Sequence, residues 1–318
     1  MNYEEFKEQL INYLKQDFPE SEYEYALRVS NKTNVAIDSL IVRPLDGTMA
    51  PIIYPEQSYE LYRAGHAPQF VFSAVSQSLA ENFKHLPSKP EITLESAKKN
   101  LYCSILNKAS NEHLLKDAPY LPFLDLAIVA RWRVEENGSF LVTKDICQLL
   151  ALTPEEILEL AQKNTDKQEV TVTPMHQVIF DIIRKQGAPD DFMEELEQEL
   201  DGRDLLYVLS NDTGMEGAYT IYSKDALQKA YETIGENFAI LPSSRHELVL
   251  VAESQMQDID SLEELVKDAN QTVLINNDWL SDEVYHYDGE TKSVDFARNR
   301  LQISEQSMEK SKSQGRTH

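Results

Sequence analysis

Apolar residues in this chain fall into short segments whose spacing alternates between that of a helix and that of a strand. In residues 3–16, Phe6, Leu10 and Leu14 recur at helical intervals, whereas residues 23–30 alternate as a strand does. No apolar run approaches the roughly 20 residues that span a bilayer. The pattern therefore predicts an α+β fold without a membrane-spanning helix.

The order of these segments predicts two or three small mixed domains. In the first, a helix is followed by a β-hairpin and two more helices. The stretch after it contains Pro87 and Pro90, which is typical of a linker. The predicted ranges are 1–86 for the first domain, 91–290 for the remainder (as one region or as 91–173 and 174–290), and 296–318 for a polar, disordered tail.

The C-terminal region has the most regular alternation and predicts a β-β-α-β-β unit. Ser223 is expected to cap its helix and Gly235 to end it. The predicted strands are Leu205–Ser210, Ala218–Tyr222, Phe238–Leu241 and Glu247–Val251, and the helix is Lys224–Ile234.

The formal net charge of −24 limits the partners that the surface can attract. Such a surface repels phosphate backbones and anionic lipids, so we expect neither direct nucleic-acid binding nor membrane binding. An unidentified protein partner remains open. Residues 1–10 lack a basic region followed by an apolar stretch, so they do not read as a secretory signal and cytoplasmic residence is expected.

The two cysteines, Cys103 and Cys147, each lie among aliphatic residues and outside any C-x-x-C pattern. We expect two buried, reduced thiols. The chain also lacks the glycine-rich phosphate loops and the H-E-x-x-H spacing that bind nucleotides or zinc. No cofactor and no metal site is therefore predicted.

A group of polar residues near position 245 is the strongest candidate for a catalytic site. Ser243, Ser244, His246 and Glu247 supply the hydroxyl, base and acid that nucleophilic hydrolysis requires. Such close neighbours cannot easily form a linear relay, and no G-x-S-x-G elbow is present. We therefore favour a turn between two strands, in which the hydroxyls satisfy backbone groups. Asn211 completes the set of candidate residues, none of which is assigned a catalytic role.

Several short blocks, in order along the chain, resemble a known family. They are Asp125–Val129, Thr153–Glu156, Leu209–Asn211 and Leu241–Glu247. Over residues 1–290 the chain resembles a Firmicutes family, domain of unknown function 5688, and more weakly the YtpQ-like proteins of bacilli. The resemblance implies a bacterial cytoplasmic protein, and it supplies no activity and no catalytic residue.

Three functions are compatible with these observations. The favoured one is a cytoplasmic interaction or regulatory protein without catalytic activity. Acidic residues are abundant and the sequence shows no recognisable set of catalytic residues, so we expect the protein to act by binding partners at its surface. The first alternative is a hydrolase that uses a pocket around Ser244 and His246. The second is an acidic inhibitor that mimics nucleic acid.

Overall fold

The computed structural model is a mixed α+β protein with three antiparallel sheets, as the sequence predicts. It divides into two compact units, Met1–Ile92 with Val134–Asn137, and Thr93–Arg133 with Gly138–His318. Among the described residues, no helix is both long and apolar enough to cross a membrane. The structure describes residues 1–47, 49–86, 90–134, 138–189, 206–256, 258–272 and 278–300.

The first unit packs helices against a three-stranded sheet of order β1-β2-β3. Helix α1 begins with a capping box in which Asn2 and Glu5 exchange side-chain and backbone hydrogen bonds. Its buried face joins β2 and α3 in one core, so the predicted helix and hairpin are confirmed. The elements are α1 (Tyr3–Asp17), β1 (Tyr23–Lys32), β2 (Val35–Pro44), β3 (Ile52–Ile53), α2 (Pro55–Arg63) and α3 (Pro68–Lys84).

The second unit begins with a four-stranded sheet centred on β6. Strand β6 pairs with β4, β5 and β7, and its residues from Leu126 to Ala130 are buried. Helix α7 starts at the predicted Thr153 capping box and packs on β4. The elements are α4 (Leu94–Asn100), β4 (Leu101–Asn107), α5 (Glu112–Leu115), β5 (Tyr120–Phe123), β6 (Leu126–Val134), β7 (Gly138–Leu141), α6 (Lys144–Leu150) and α7 (Pro154–Thr165).

A six-stranded antiparallel sheet of order β13-β12-β10-β11-β9-β8 completes the second unit. Ser223 caps α9 and Gly235 ends it in the left-handed conformation, both as predicted. The elements are β8 (Val170–Pro174), α8 (Met175–Lys185), β9 (Leu206–Asn211), α9 (Lys224–Ile234), β10 (Phe238–Leu241), β11 (Leu248–Ala252), α10 (Ile259–Thr272), β12 (Tyr285–Asp288) and β13 (Ser293–Phe296).

One strand of the predicted β-β-α-β-β unit is wrong. Residues Gly217–Tyr222 form a 3₁₀-helix and not the second strand. Its residues from Gly217 to Ile221 are all buried. The predicted strand Ala218–Tyr222 is short and apolar apart from Thr220, and over so few residues the pattern cannot distinguish a buried strand from a buried helical turn. The structure decides here because Glu216 takes a left-handed conformation and turns the chain away from the sheet.

Ordered structure continues past the predicted boundary at residue 290. Strand β13 pairs with β12, and residues 297–300 are helical. The Arg298 guanidinium binds the carboxylates of Asp260 and Glu263, and this pairing holds the pKa of Glu263 below its usual range. The predicted tail therefore starts no earlier than residue 301, and residues 301–318 lie outside the described part of the chain.

Both thiols are buried and unpaired, as the sequence predicts. Burial raises the pKa of Cys103 to about 12, so at pH 8 only about one thiol in ten thousand is ionised.

In a folded Cys147→Ser variant, we expect Cys103 to react with a disulfide reagent only as fast as the protein unfolds. Thiol titration in denaturant is the control. Rapid stoichiometric labelling of the native variant would contradict the buried position.

Candidate functional site

The candidate serines and histidine lie in the connection between β10 and β11. The Ser244 amide donates to the Glu247 carbonyl oxygen at 3.2 Å, and the Ser244 hydroxyl accepts from the His246 amide at 3.0 Å. The Ser243 amide donates back to Leu241 at 2.9 Å. These contacts make Ser244 a support of the turn, the role that the sequence favours for it.

The His246 imidazole has a partner on each nitrogen. Its Nδ1 accepts from the Glu216 amide at 3.2 Å, and its Nε2 lies 3.3 Å from Asp278 Oδ1. An amide N–H can only donate, so Nδ1 carries no proton in this arrangement and Nε2 donates to the carboxylate. Among the described contacts, neither nitrogen binds a serine hydroxyl. The ring is therefore positioned as a structural link and not as a base beside a nucleophile.

Arg245 joins two carboxylates from distant parts of the chain. Its Nε donates to Asp278 Oδ1 at 2.9 Å and its Nη1 to Glu216 Oε1 at 3.0 Å. Glu216 is only 5% exposed, and its second oxygen accepts from the Ser104 hydroxyl at 2.6 Å. A carboxylate so buried requires such partners. We call Ser104, Glu216, Arg245, His246 and Asp278 the Arg245 cluster.

Asn211 ends strand β9, which pairs with β11, and its side chain supports a different turn. Its amide nitrogen donates to the Met215 carbonyl at 2.8 Å and to Gln168 at 3.2 Å, and its oxygen accepts from the Thr213 hydroxyl at 2.8 Å. The preceding Ser210 donates to the His246 carbonyl at 2.8 Å. Asn211 thus shapes the loop that leads to Glu216.

Sequence reasoning missed four members of the Arg245 cluster, namely Ser104, Glu216, Arg245 and Asp278. Ser104 and Glu216 lie 112 positions apart, and Asp278 lies 33 positions from Arg245. No local pattern connects such residues. The one available signal was Arg245 itself, a cation inside a short polar connection between two apolar strands.

A second polar cluster joins the two sheets of this unit. Asp125, after β5, accepts from the Tyr285 hydroxyl at 2.8 Å and from the Ser281 hydroxyl at 2.7 Å. Burial, with the nearby Asp125 charge, raises the pKa of Tyr285 well above its usual value, which keeps its hydroxyl protonated as a donor. Both oxygens of Asp125 accept hydrogen bonds from the facing hydroxyls. We therefore interpret this cluster as a structural crosslink.

A cavity of about 640 Å³ opens beside the Arg245 cluster, within the second unit. The end of α7, the 3₁₀-helix and the first turn of α9 form its walls. It is within the size range of small-molecule sites. In the described part of the chain, no group of three or more His, Cys, Asp or Glu side chains is placed to hold a metal ion.

These features define an α+β protein of three antiparallel sheets, with a buried ion-pair cluster beside an open cavity. The chain belongs to a family of unknown function (DUF5688), whose model matches residues 3–289. The resemblance to this family inferred from the sequence is thereby confirmed. No curated protein matches the chain, and no solved structure does.

Proposed function

We propose that this protein is a non-catalytic binding protein of the bacterial cytoplasm that takes up an extended, positively charged segment of a partner protein along strand β1. The observation that carries the proposal is the position of β1 at the edge of its sheet. An edge strand presents free backbone donors and acceptors, and an added strand satisfies them.

Strand β1 is suited to this role by its length and by its exposed apolar residues. It has 10 residues, all of which pair with β2 on one side. Leu27 is 51% exposed and Val29 is 62% exposed. Residues two apart in a strand share a face, so Leu27 and Val29 form an exposed apolar pair on one face of β1. Alternate apolar residues of an added strand would lie beside this pair on the same face.

Net charge favours a basic partner over a second copy of this chain. At −24, two copies repel each other, whereas a positively charged segment is attracted and steered to the surface. The occupant we propose is therefore an extended segment that alternates apolar and basic residues.

The hydrolase alternative receives less support from the geometry. A general base needs a free nitrogen within reach of the nucleophile, and the described hydrogen bonds of His246 engage both nitrogens elsewhere. The Ser244 hydroxyl is an acceptor for the His246 amide. Among the described contacts, neither side chain has the partner that nucleophilic catalysis requires.

Peptide binding tests the proposal directly. The probe is a fluorescent ten-residue peptide of alternating valine and lysine, with an alternating valine and glutamate peptide for comparison. We expect only the lysine peptide to bind, and a Leu27→Lys/Val29→Lys variant to bind it at least about tenfold more weakly. Added lysines repel the peptide and block the strand edge. Fluorescence anisotropy gives the affinities.

A matched variant separates edge pairing from general attraction. Leu61→Lys/Phe70→Lys adds the same positive charge at residues of α2 and α3 that are 50% and 64% exposed. We expect this variant to keep most of the affinity. Equal weakening in both variants, equal binding of the glutamate peptide, or a dimer that the β1 substitutions dissociate would overturn the proposal.

A further inference from the structure

The cavity in the second unit carries a combination of groups that neither the fold nor the proposed partner site uses. Phe123 and Tyr222 meet edge to face at 5.4 Å on its wall, and Tyr219 lies 6.1 Å from Tyr222. Three aromatic rings on one wall supply apolar contact and faces that attract cations. Such walls suit a small molecule with an apolar portion.

Two carboxylates stand together at this cavity. Asp166, just after α7, and Asp225, in the first turn of α9, both line it. Burial, with the neighbouring Asp225 charge, raises the pKa of Asp166. The two side chains therefore repel each other, and a cation bound between them would relieve that repulsion.

Two lysines border the same space. Lys224 and Lys292 line the cavity and are exposed. The remaining charged residue of the lining, Glu216, is already neutralised by Arg245 at 3.0 Å. The charges left for a ligand are thus two carboxylates and two ammonium groups. A simple cation or a simple anion would leave one pair of them without a partner.

The hydroxyl of Tyr219 is buried behind the cavity wall. Tyr219 is 3% exposed, and its hydroxyl hydrogen-bonds to no oxygen or nitrogen of the described residues. The thiol of Cys103, a weak partner, is its polar neighbour. Buried hydroxyls in native proteins are nearly always satisfied, so the Cys103 thiol is the partner of this one and the cavity is offered only the Tyr219 ring.

We propose that the cavity binds a small zwitterion of the amino-carboxylate class, with the volume of a short peptide. Its ammonium group lies between Asp166 and Asp225, its carboxylate faces Lys224 and Lys292, and its apolar part packs on Phe123 and Tyr222. This site goes beyond the proposed partner binding and lies in the other unit, so each proposal can fail without the other.

End-blocked dipeptides test the assignment of charges. The probe is alanyl-phenylalanine with free termini, compared with its N-acetyl and C-amide forms by isothermal titration calorimetry. We expect blocking either end to weaken binding at least about tenfold. In Asp166→Asn/Asp225→Asn the penalty for N-acetylation should vanish, and in Lys224→Met/Lys292→Met the penalty for amidation should vanish. This coupling identifies which side chains meet which terminus.

Matched substitutions outside the cavity provide the control. Glu159→Gln and Lys163→Met remove the same charges from exposed positions of α7, and we expect both to leave the affinity of the free dipeptide unchanged. Three results would overturn the proposal. They are no binding of the free dipeptide, equal binding of the doubly blocked form, or penalties for blocking that persist in the cavity variants.

Discussion

Arg245→Met is expected to destabilise the second unit by about 3–5 kcal/mol. The guanidinium neutralises Glu216, which is 5% exposed, and also binds Asp278. Without it, a buried carboxylate keeps only the Ser104 hydroxyl as a described side-chain partner. Both tryptophans of the chain, Trp132 and Trp279, lie in this unit. Denaturant unfolding followed by tryptophan fluorescence therefore measures the loss where it occurs.

The double variant Glu216→Gln/Arg245→Met isolates the buried charge as the cause. It removes both partners, and an amide costs far less to bury than an unpaired carboxylate. We expect the double variant to regain more than half of the stability that Arg245→Met loses. A single variant within about 1 kcal/mol of the parent would show that the ion pair behaves like an exposed one.

Gly217→Ala is expected to cost about 3 kcal/mol or more. A Cβ at this position would overlap the Ser210 hydroxyl and the His246 carbonyl oxygen. It would also lie 3.1 Å from the backbone nitrogen of Asn211. Two of these three neighbours are backbone atoms of packed segments, so they cannot move aside cheaply. The glycine is required by close approach, and thermal and denaturant unfolding will measure its contribution.

Gly214→Ala is the matched control in the same loop. Gly214 has φ +64, and a Cβ there meets nothing within 4 Å. Its substitution should cost only the ~1 kcal/mol of a left-handed alanine. Equal losses at both positions would mean that the contact of residue 217 with β9 and the β10–β11 connection is looser than described.

Much of the secondary structure could be predicted from residues that are close together in the sequence. The Thr153 capping box, the Ser223 cap and the Gly235 stop each involve residues within one or two helical turns, and all three occur as predicted. The β1–β2 hairpin is similarly local, since two alternating segments are separated by a short polar turn. Elements of this kind can be read from the chain because their causes are close in sequence.

Only part of the candidate site could be predicted from the sequence. Ser244 and His246 stand in the predicted turn, but the partners that define the histidine's role, Glu216 and Asp278, lie 30 and 32 positions away. The 3₁₀-helix was predicted as a strand because its largely apolar segment is too short for its periodicity to separate the two structures. The cavity likewise draws its lining from segments between residues 123 and 294.

By itself, the sequence determined the α+β class, the ends of several helices, the hairpin and the net negative charge, because each of these depends on composition or on neighbours within a few residues. Tertiary structure alone decided the order of the six-stranded sheet, the pairing of Arg245 with Glu216 and Asp278, and the shape of the cavity. The physical reason is that burial pairs charges and closes cavities between segments far apart in the chain, and only the packed core brings those segments into contact.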